Sequence, residues 1–118
     1  MGVRSEGDVF YVDHSSAERL IEAMFAHHGC EAAEARTVAT RLVGANLRGH
    51  DSHGIIRTPR YIEWMDTGRV VPNATATVER ENDVIAVVDA HQGFGQTAGE
   101  VAVDVGVAKA IKGGAAIV

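Results

Sequence analysis

Arg48-Gly49-His50-Asp51-Ser52-His53-Gly54-Ile55-Ile56-Arg57 carries a polar, histidine-rich run bracketed by Gly49 and Gly54, and the segments on either side of it define the architecture. Upstream, Glu31 to Leu47 has acids Glu34 and Glu31 at its start, Arg41 towards its end, and Val38, Leu42, Val43 and Leu47 along one stripe. That pattern predicts an amphipathic helix, with Gly49 as its C-cap. Downstream, Thr58-Pro59 supplies an N-cap and an N1 proline for another helix, which carries Tyr61, Ile62, Trp64 and Met65 and closes at Gly68. The stretch is therefore a connection held between two helix ends.

Further out, Leu20, Ile21, Met24 and Phe25 recur at helical spacing before Gly29, and Ser15 with Glu18 fits a capping box. His27 and His28 fall in the last turn, where they read as capping or surface residues. Val9 to Val12 has the content of a short strand. On the other side, Ala76 to Glu79 and Val84 to Asp89 flank the polar turn Glu81-Asn82-Asp83 and predict a hairpin. A long helix follows from about Gln96 to Lys112, with Val101, Val105, Val107, Ala108 and Ile111 apolar and small residues suited to close packing. The fold expected is α+β: three amino-terminal helices, then a hairpin and a long helix. Residues 1–70 form a helical segment carrying the histidine loop, and residues 71–118 begin an αβ region. Gly113-Gly114-Ala115-Ala116-Ile117-Val118 reads as a helix exit entering a buried strand, so a truncated fold is expected.

The chain has 118 residues, 46% hydrophobic and 23% charged, a composition of folded soluble domains. Eleven basic against sixteen acidic residues leave a net charge of -5, which argues against nucleic acid or anionic membrane as a partner. No apolar run approaches the ~18 residues of a membrane span, and a cytoplasmic location is the default expectation. The one cysteine, Cys30, excludes a disulfide framework and reads as a buried spacer. Charge is uneven, however: Arg48, Arg57, Arg60, His50 and His53 face Asp51 alone between Asn46 and Tyr61. A small anion would be drawn there, unless those charges pair elsewhere.

Three chemistries compete for these residues. Gly93-Phe94-Gly95-Gln96-Thr97-Ala98 follows a predicted strand, opens a helix and has the G-x-G-x-x-G/A form of a Rossmann-type dinucleotide site. Its completing second strand with an acidic end does not follow within the chain, and the same glycines serve a plain strand-to-helix turn. His50 and His53 with Asp51 offer metal ligands, but the other histidines add none at recognised spacing, so no metal is expected. An acid-base reading fits better. Histidine moves protons near neutral pH, a neighbouring serine can orient it or relay its proton, and an arginine can hold a carboxylate bidentately. A Ser-His pair also suits a hydrolase, though no G-x-S-x-G elbow is present.

Ala45-Asn46-Leu47-Arg48-Gly49-His50-Asp51-Ser52-His53-Gly54, Arg57-x-Pro59-Arg60-Tyr61 and Gly68-x-Val70-x-Pro72-Asn73 together resemble the malate/L-lactate dehydrogenase family, which includes sulfolactate, ureidoglycolate and cyclic-imino-acid enzymes. Val88-Asp89-x-x-x-Gly93-x-Gly95-Gln96 and Ala108-Lys109-Ala110 extend the likeness across the chain from Val9 onward. The resemblance implies NAD- or NADP-dependent interconversion of a 2-hydroxy acid and a 2-oxo acid on a non-Rossmann fold, usually in a homodimer. It also implies Ser52 and His53 as relay and acid-base pair, Arg57 as substrate-carboxylate clamp and Tyr61 as an active-site wall. Tyr61 otherwise reads as the core face of the third helix. Arg48 and Asp51 read as loop-fixing residues. Family members are longer, with a further catalytic histidine and most of the nicotinamide site expected beyond Val118. The alternative expectations are a non-catalytic helical dimerisation module and a Rossmann-type fragment.

Overall fold

A computed structural model describes residues 2–118. The order is β1 (Val3–Glu6), β2 (Val9–Val12), α1 (His14–His27), α2 (Ala32–Leu47), two 3-10 turns (Asp51–His53 and Ile55–Arg57), α3 (Thr58–Asp66), β3 (Thr77–Glu81), β4 (Ala86–Asp89) and α4 (Gly95–Gly113). The α+β reading holds, with four α-helices and two antiparallel hairpins among the described residues.

The first hairpin was only half visible. Val9 to Val12 pairs with Val3 to Glu6, a strand whose polar Arg-Ser-Glu sequence carries little β signal, across a turn where Gly7 takes φ 61°. A capping box at Ser15 is also corrected. Asp13 is the N-cap of α1, in extended conformation, and its carboxylate accepts from the amides of Ser15 and Ser16 at 3.1 and 3.2 Å and from the Ser15 hydroxyl at 2.6 Å. Asp outcompetes Ser because a charged acceptor also favours the helix dipole. Thr58 is likewise not a cap: the preceding 3-10 turn delivers it already helical, at φ -52° and ψ -51°.

The core lies where α1 crosses α2. Ile21 and Phe25 of α1 meet Ala35, Val38, Ala39, Leu42 and Val43 of α2, with Met65 of α3 and Phe94 closing the ends. Phe25, Leu42 and Val38 are the largest fully buried side chains, and each contributes roughly 1.5–3 kcal/mol by leaving water. The Phe25 and Phe94 rings meet edge to face at 5.6 Å, which ties α1 to the entrance of α4. Three expected core positions, Leu20, Met24 and Leu47, are exposed.

Cys30 is buried as expected in the corner between α1 and α2. Burial, with the Glu34 carboxylate beside it, pushes its thiol up to about 12. Glu34 is itself buried and accepts the Asn73 amide at 2.6 Å. Asn73, in the left-handed region at φ 62°, returns two side-chain bonds, to the Glu31 amide and the Gly29 carbonyl. The segment after α3 is thereby stapled to the α1–α2 corner. His28 caps α1 and its Nδ1 lies 3.3 Å from an Asp66 carboxylate oxygen at the end of α3.

The predicted hairpin of β3 and β4 forms, with Glu79 bulged between Val78 and Arg80. After α4, Ile117 makes an isolated parallel bridge with Ile85 beside β4, and no strand forms there among the described residues. Ile117 is exposed. Close packing along α4 is found only at Gly106, where an added Cβ would lie 3.2 Å from Val118; among the described residues no α4 side chain is buried. Ion pairs also tie this helix to its neighbours: Arg41 to Glu100 at 2.7 Å, and Lys109 to Glu81 at 2.8 Å.

Candidate active site

Gly49, in the left-handed region at φ 74°, ends α2 and sends the chain into the two 3-10 turns. Ser52 and His53 sit in the first turn and Arg57 ends the second. The Ser52 hydroxyl lies 2.9 Å from Nδ1 of His53, and Arg57 donates from Nε to the Ser52 carbonyl at 2.7 Å. Three of the residues singled out in the sequence are thus joined by hydrogen bonds within one exposed loop. Nε2 of His53 and the two terminal nitrogens of Arg57 have no hydrogen-bond partner among the described residues. His50 stacks edge to face on His53, with ring centroids 4.4 Å apart.

What holds this loop is a residue to which the sequence reading assigned no role. Asn46, in the last turn of α2, donates from Nδ2 to the Asp51 carboxylate at 2.6 Å and accepts the Ile55 amide on Oδ1 at 2.8 Å. Gly54 is buried against that amide: a Cβ there would come within 2.6 Å of Nδ2 and closer still to Oδ1. The loop-fixing role expected of Asp51 is met through Asn46. Arg48 instead turns back to the Gly44 carbonyl of its own helix at 2.9 Å.

Tyr61, one helical turn beyond Arg57, makes no hydrogen bond to Ser52, His53 or Arg57 among the described residues. Its ring stacks on Trp64 at 5.7 Å and its hydroxyl accepts from Gln96 at 3.2 Å. With Trp64, Val70, Gly93, Phe94, Gly95 and Gln96 it lines a cavity of about 460 Å³. A second cavity of about 610 Å³ adjoins the loop through Asn46, Asp51 and Ile55, and its other wall is Phe10, Tyr11 and Val12 of β2.

The glycines that open α4 test the dinucleotide reading. A Cβ on Gly93 would meet Ala74 and the Ala90 carbonyl at 2.9 Å, so close packing by protein accounts for that glycine. Gly95 has open space around it. The cluster nearest to a metal-ligand set is surface-exposed Glu79, Asp89 and His91 rather than the His50-His53 pair. Nε2 of His91 lies 2.8 Å from the Thr77 hydroxyl, and its Nδ1 lies 3.6 Å from an Asp89 carboxylate oxygen.

The family model for malate/L-lactate dehydrogenase matches residues 12–118. Over 106 residues the chain is 37% identical to hydroxycarboxylate dehydrogenase B of Escherichia coli (strain K12), covering 90% of this chain and 29% of that protein. A Delta(1)-pyrroline-2-carboxylate/Delta(1)-piperideine-2-carboxylate reductase of Pseudomonas putida is 35% identical over 117 residues, covering 99% of this chain and 34% of the relative. The malate dehydrogenase structure from Pyrococcus horikoshii OT3 superposes with a TM-score of 0.82 at 31% identity, over 87% of this chain and 30% of that one. The chain spans about a third of the length of the curated relatives it matches. The match runs through the histidine loop and through every helix of the fold, and the chain belongs to the malate/L-lactate dehydrogenase family.

Proposed function

We propose that these residues supply the proton-transfer and carboxylate-binding part of an NAD- or NADP-dependent oxidoreductase that interconverts a 2-hydroxy acid and a 2-oxo acid. In this reading they act within a longer, non-Rossmann polypeptide, in a cytoplasmic homodimer. Residues 1–70 bring the catalytic loop, and residues 71–118 begin the cofactor-binding region. The observation that carries the proposal is the linked Ser52-His53-Arg57 group.

The chemistry follows from what each atom has free. With Nδ1 of His53 engaged by the Ser52 hydroxyl, Nε2 is the nitrogen left to take the hydroxyl proton of a 2-hydroxy acid, or to return one to the oxygen of a 2-oxo acid. Ser52 orients the ring and can relay the proton. Arg57 is oriented through Nε, which leaves its terminal nitrogens to bind a substrate carboxylate and fix the reacting carbon. Tyr61 enters as a wall residue, its ring lining the cavity beside α4. A bound nicotinamide would accept or supply the hydride. Close packing against Ala74 and the Ala90 carbonyl accounts for Gly93 without a pyrophosphate.

In a polypeptide that oxidises a 2-hydroxy acid, His53→Ala is expected to lower turnover by about 10²- to 10⁴-fold, the usual weight of acid-base catalysis. A loss below about threefold would reject the assignment. The exposed face of α4, with Val103, Val107 and Ile111, favours a second reading as a non-catalytic dimerisation module. The two readings separate when the 118-residue chain is titrated with NADH and followed by the fluorescence of Trp64, its one tryptophan. Saturable quenching supports a residual cofactor site; stable dimers without quenching support the module.

A further inference from the structure

We propose that Asn46 is a positioning residue for the Ser52-His53-Arg57 group, acting as a two-ended clamp that sets the spacing of the two 3-10 turns. The inference rests on the reading of Ser52 and His53 as the proton-transfer pair. Its geometric part stands on this loop alone.

A carboxylate can only accept and a peptide N–H can only donate, so an amide placed between Asp51 and the Ile55 amide has one orientation that satisfies both. Asn46 adopts it, with Nδ2 towards Asp51 at 2.6 Å and Oδ1 towards the Ile55 amide at 2.8 Å. Asp51 is the first residue of one 3-10 turn and Ile55 the first of the other. One side chain, anchored on α2, therefore fixes the start of both. Ser52 and His53 lie inside the span it closes, and Arg57 ends the second turn. Glycine at position 54 is the steric counterpart, since any side chain there would occupy the space of the Asn46 amide. Leu, Ala or Val at position 46 would continue α2 equally well but leave the Ile55 amide and the Asp51 carboxylate unheld. Glutamine would carry the same groups one methylene too far out.

The sign of the Asn46–Asp51 bond supplies a test that helix stability alone does not mimic. Asn46→Asp keeps an acceptor for Ile55 but sets carboxylate against carboxylate, so the clamp closes only when the pair shares a proton. The loop geometry should then be present at low pH and lost as pH rises through the titration of that pair. In the double variant Asn46→Asp/Asp51→Asn the donor and acceptor exchange places, and the clamp is remade without a pH requirement.

The experiment uses the 118-residue chain labelled with ¹⁵N, reading the tautomer of the His53 ring and the hydrogen exchange of the Ile55 amide. Asn46→Ala is expected to redistribute the His53 tautomers and speed Ile55 exchange by about tenfold or more, the weight of a lost hydrogen bond to a loop amide. The amides of Val38 and Leu42 in the core should hold their parent rates. Asn46→Asp should show both changes at neutral pH and revert towards pH 4, and the double variant should match the parent throughout. A His53 ring and an Ile55 amide unmoved by Asn46→Ala would overturn the proposal, as would a double variant that behaves no better than Asn46→Asp. Should Asn46→Ala fail to fold, the double variant still decides. Substrate oxidation by the longer polypeptide is scored separately: a clamp confirmed by NMR in a protein without dehydrogenase activity would reject the functional reading and leave the positioning intact.

Discussion

Asp13 shows how much a single side chain can do at a helix end. Hydrogen bonds from Ser15 first, and then Ser16, hold its carboxyl well below the usual carboxylate range. A group whose folded value is depressed contributes stability above its unfolded value, near pH 3.9, and loses that contribution as pH falls towards the folded value. Asp13→Ala should therefore lower the melting temperature at pH 7, with the gap to the parent narrowing below about pH 4. Thermal melts between pH 7 and pH 2.5 check this, and a gap that stays constant would count against the cap. The residue was legible only in part: Asp13-His14-Ser15-Ser16 marked a strand stop and a helix start, but several polar residues in a row compete to cap, and backbone conformation chose among them. Ser52 and His53, between Gly49 and Gly54, and Arg57 just beyond stood out as candidates because serine, histidine and arginine crowded into one short connection have few structural uses. Asn46 was not, since an asparagine in a final helical turn says nothing of which atoms will face it.

Among elements, α1 and α2 carry the stability and α4 the opposite extreme. Phe25→Ala should cost about 3–5 kcal/mol, because Phe25 is fully buried and also braces Phe94 at the mouth of α4. Urea denaturation of the variant measures the loss, and a value under about 1 kcal/mol would mean the site is not packed as described. The helices α2, α3 and α4 were foreseen within a few residues from apolar spacing and glycine ends, signals that each element carries within itself. The strand β1 was missed for the converse reason. Its sequence is polar and both strands of its hairpin are exposed, so periodicity had nothing to report. Burial was foreseen less well than helicity: Leu20, Met24 and Leu47 sit on apolar stripes yet stay exposed.

The whole molecule is extended, measuring 55 by 31 by 21 Å with a radius of gyration of 16.7 Å. A compact chain of this length would have a radius near ~13.5 Å. Its 7752 Å² of accessible surface likewise exceeds the ~6,200 Å² of a self-contained globule of 12.5 kDa. Hydrogen exchange should follow this distribution: amides of α1 and α2 around Phe25, Val38 and Leu42 should be the slowest, and those of β1, β2 and the outer turns of α4 the fastest. Uniform protection along α4 in the 118-residue chain would contradict that picture. The sequence by itself determined what depends on neighbours along the chain: the helical spans, the glycine stops, the β3–β4 hairpin, and the crowding of Ser52, His53 and Arg57 into one short loop. Only the tertiary structure decided what depends on distant partners. It set Tyr61 against Gln96, Glu34 against Asn73 and Phe25 against Phe94, and it closed the loop on Asn46. Those choices rest on close approach and on hydrogen-bond donors meeting acceptors across space, which no local pattern encodes.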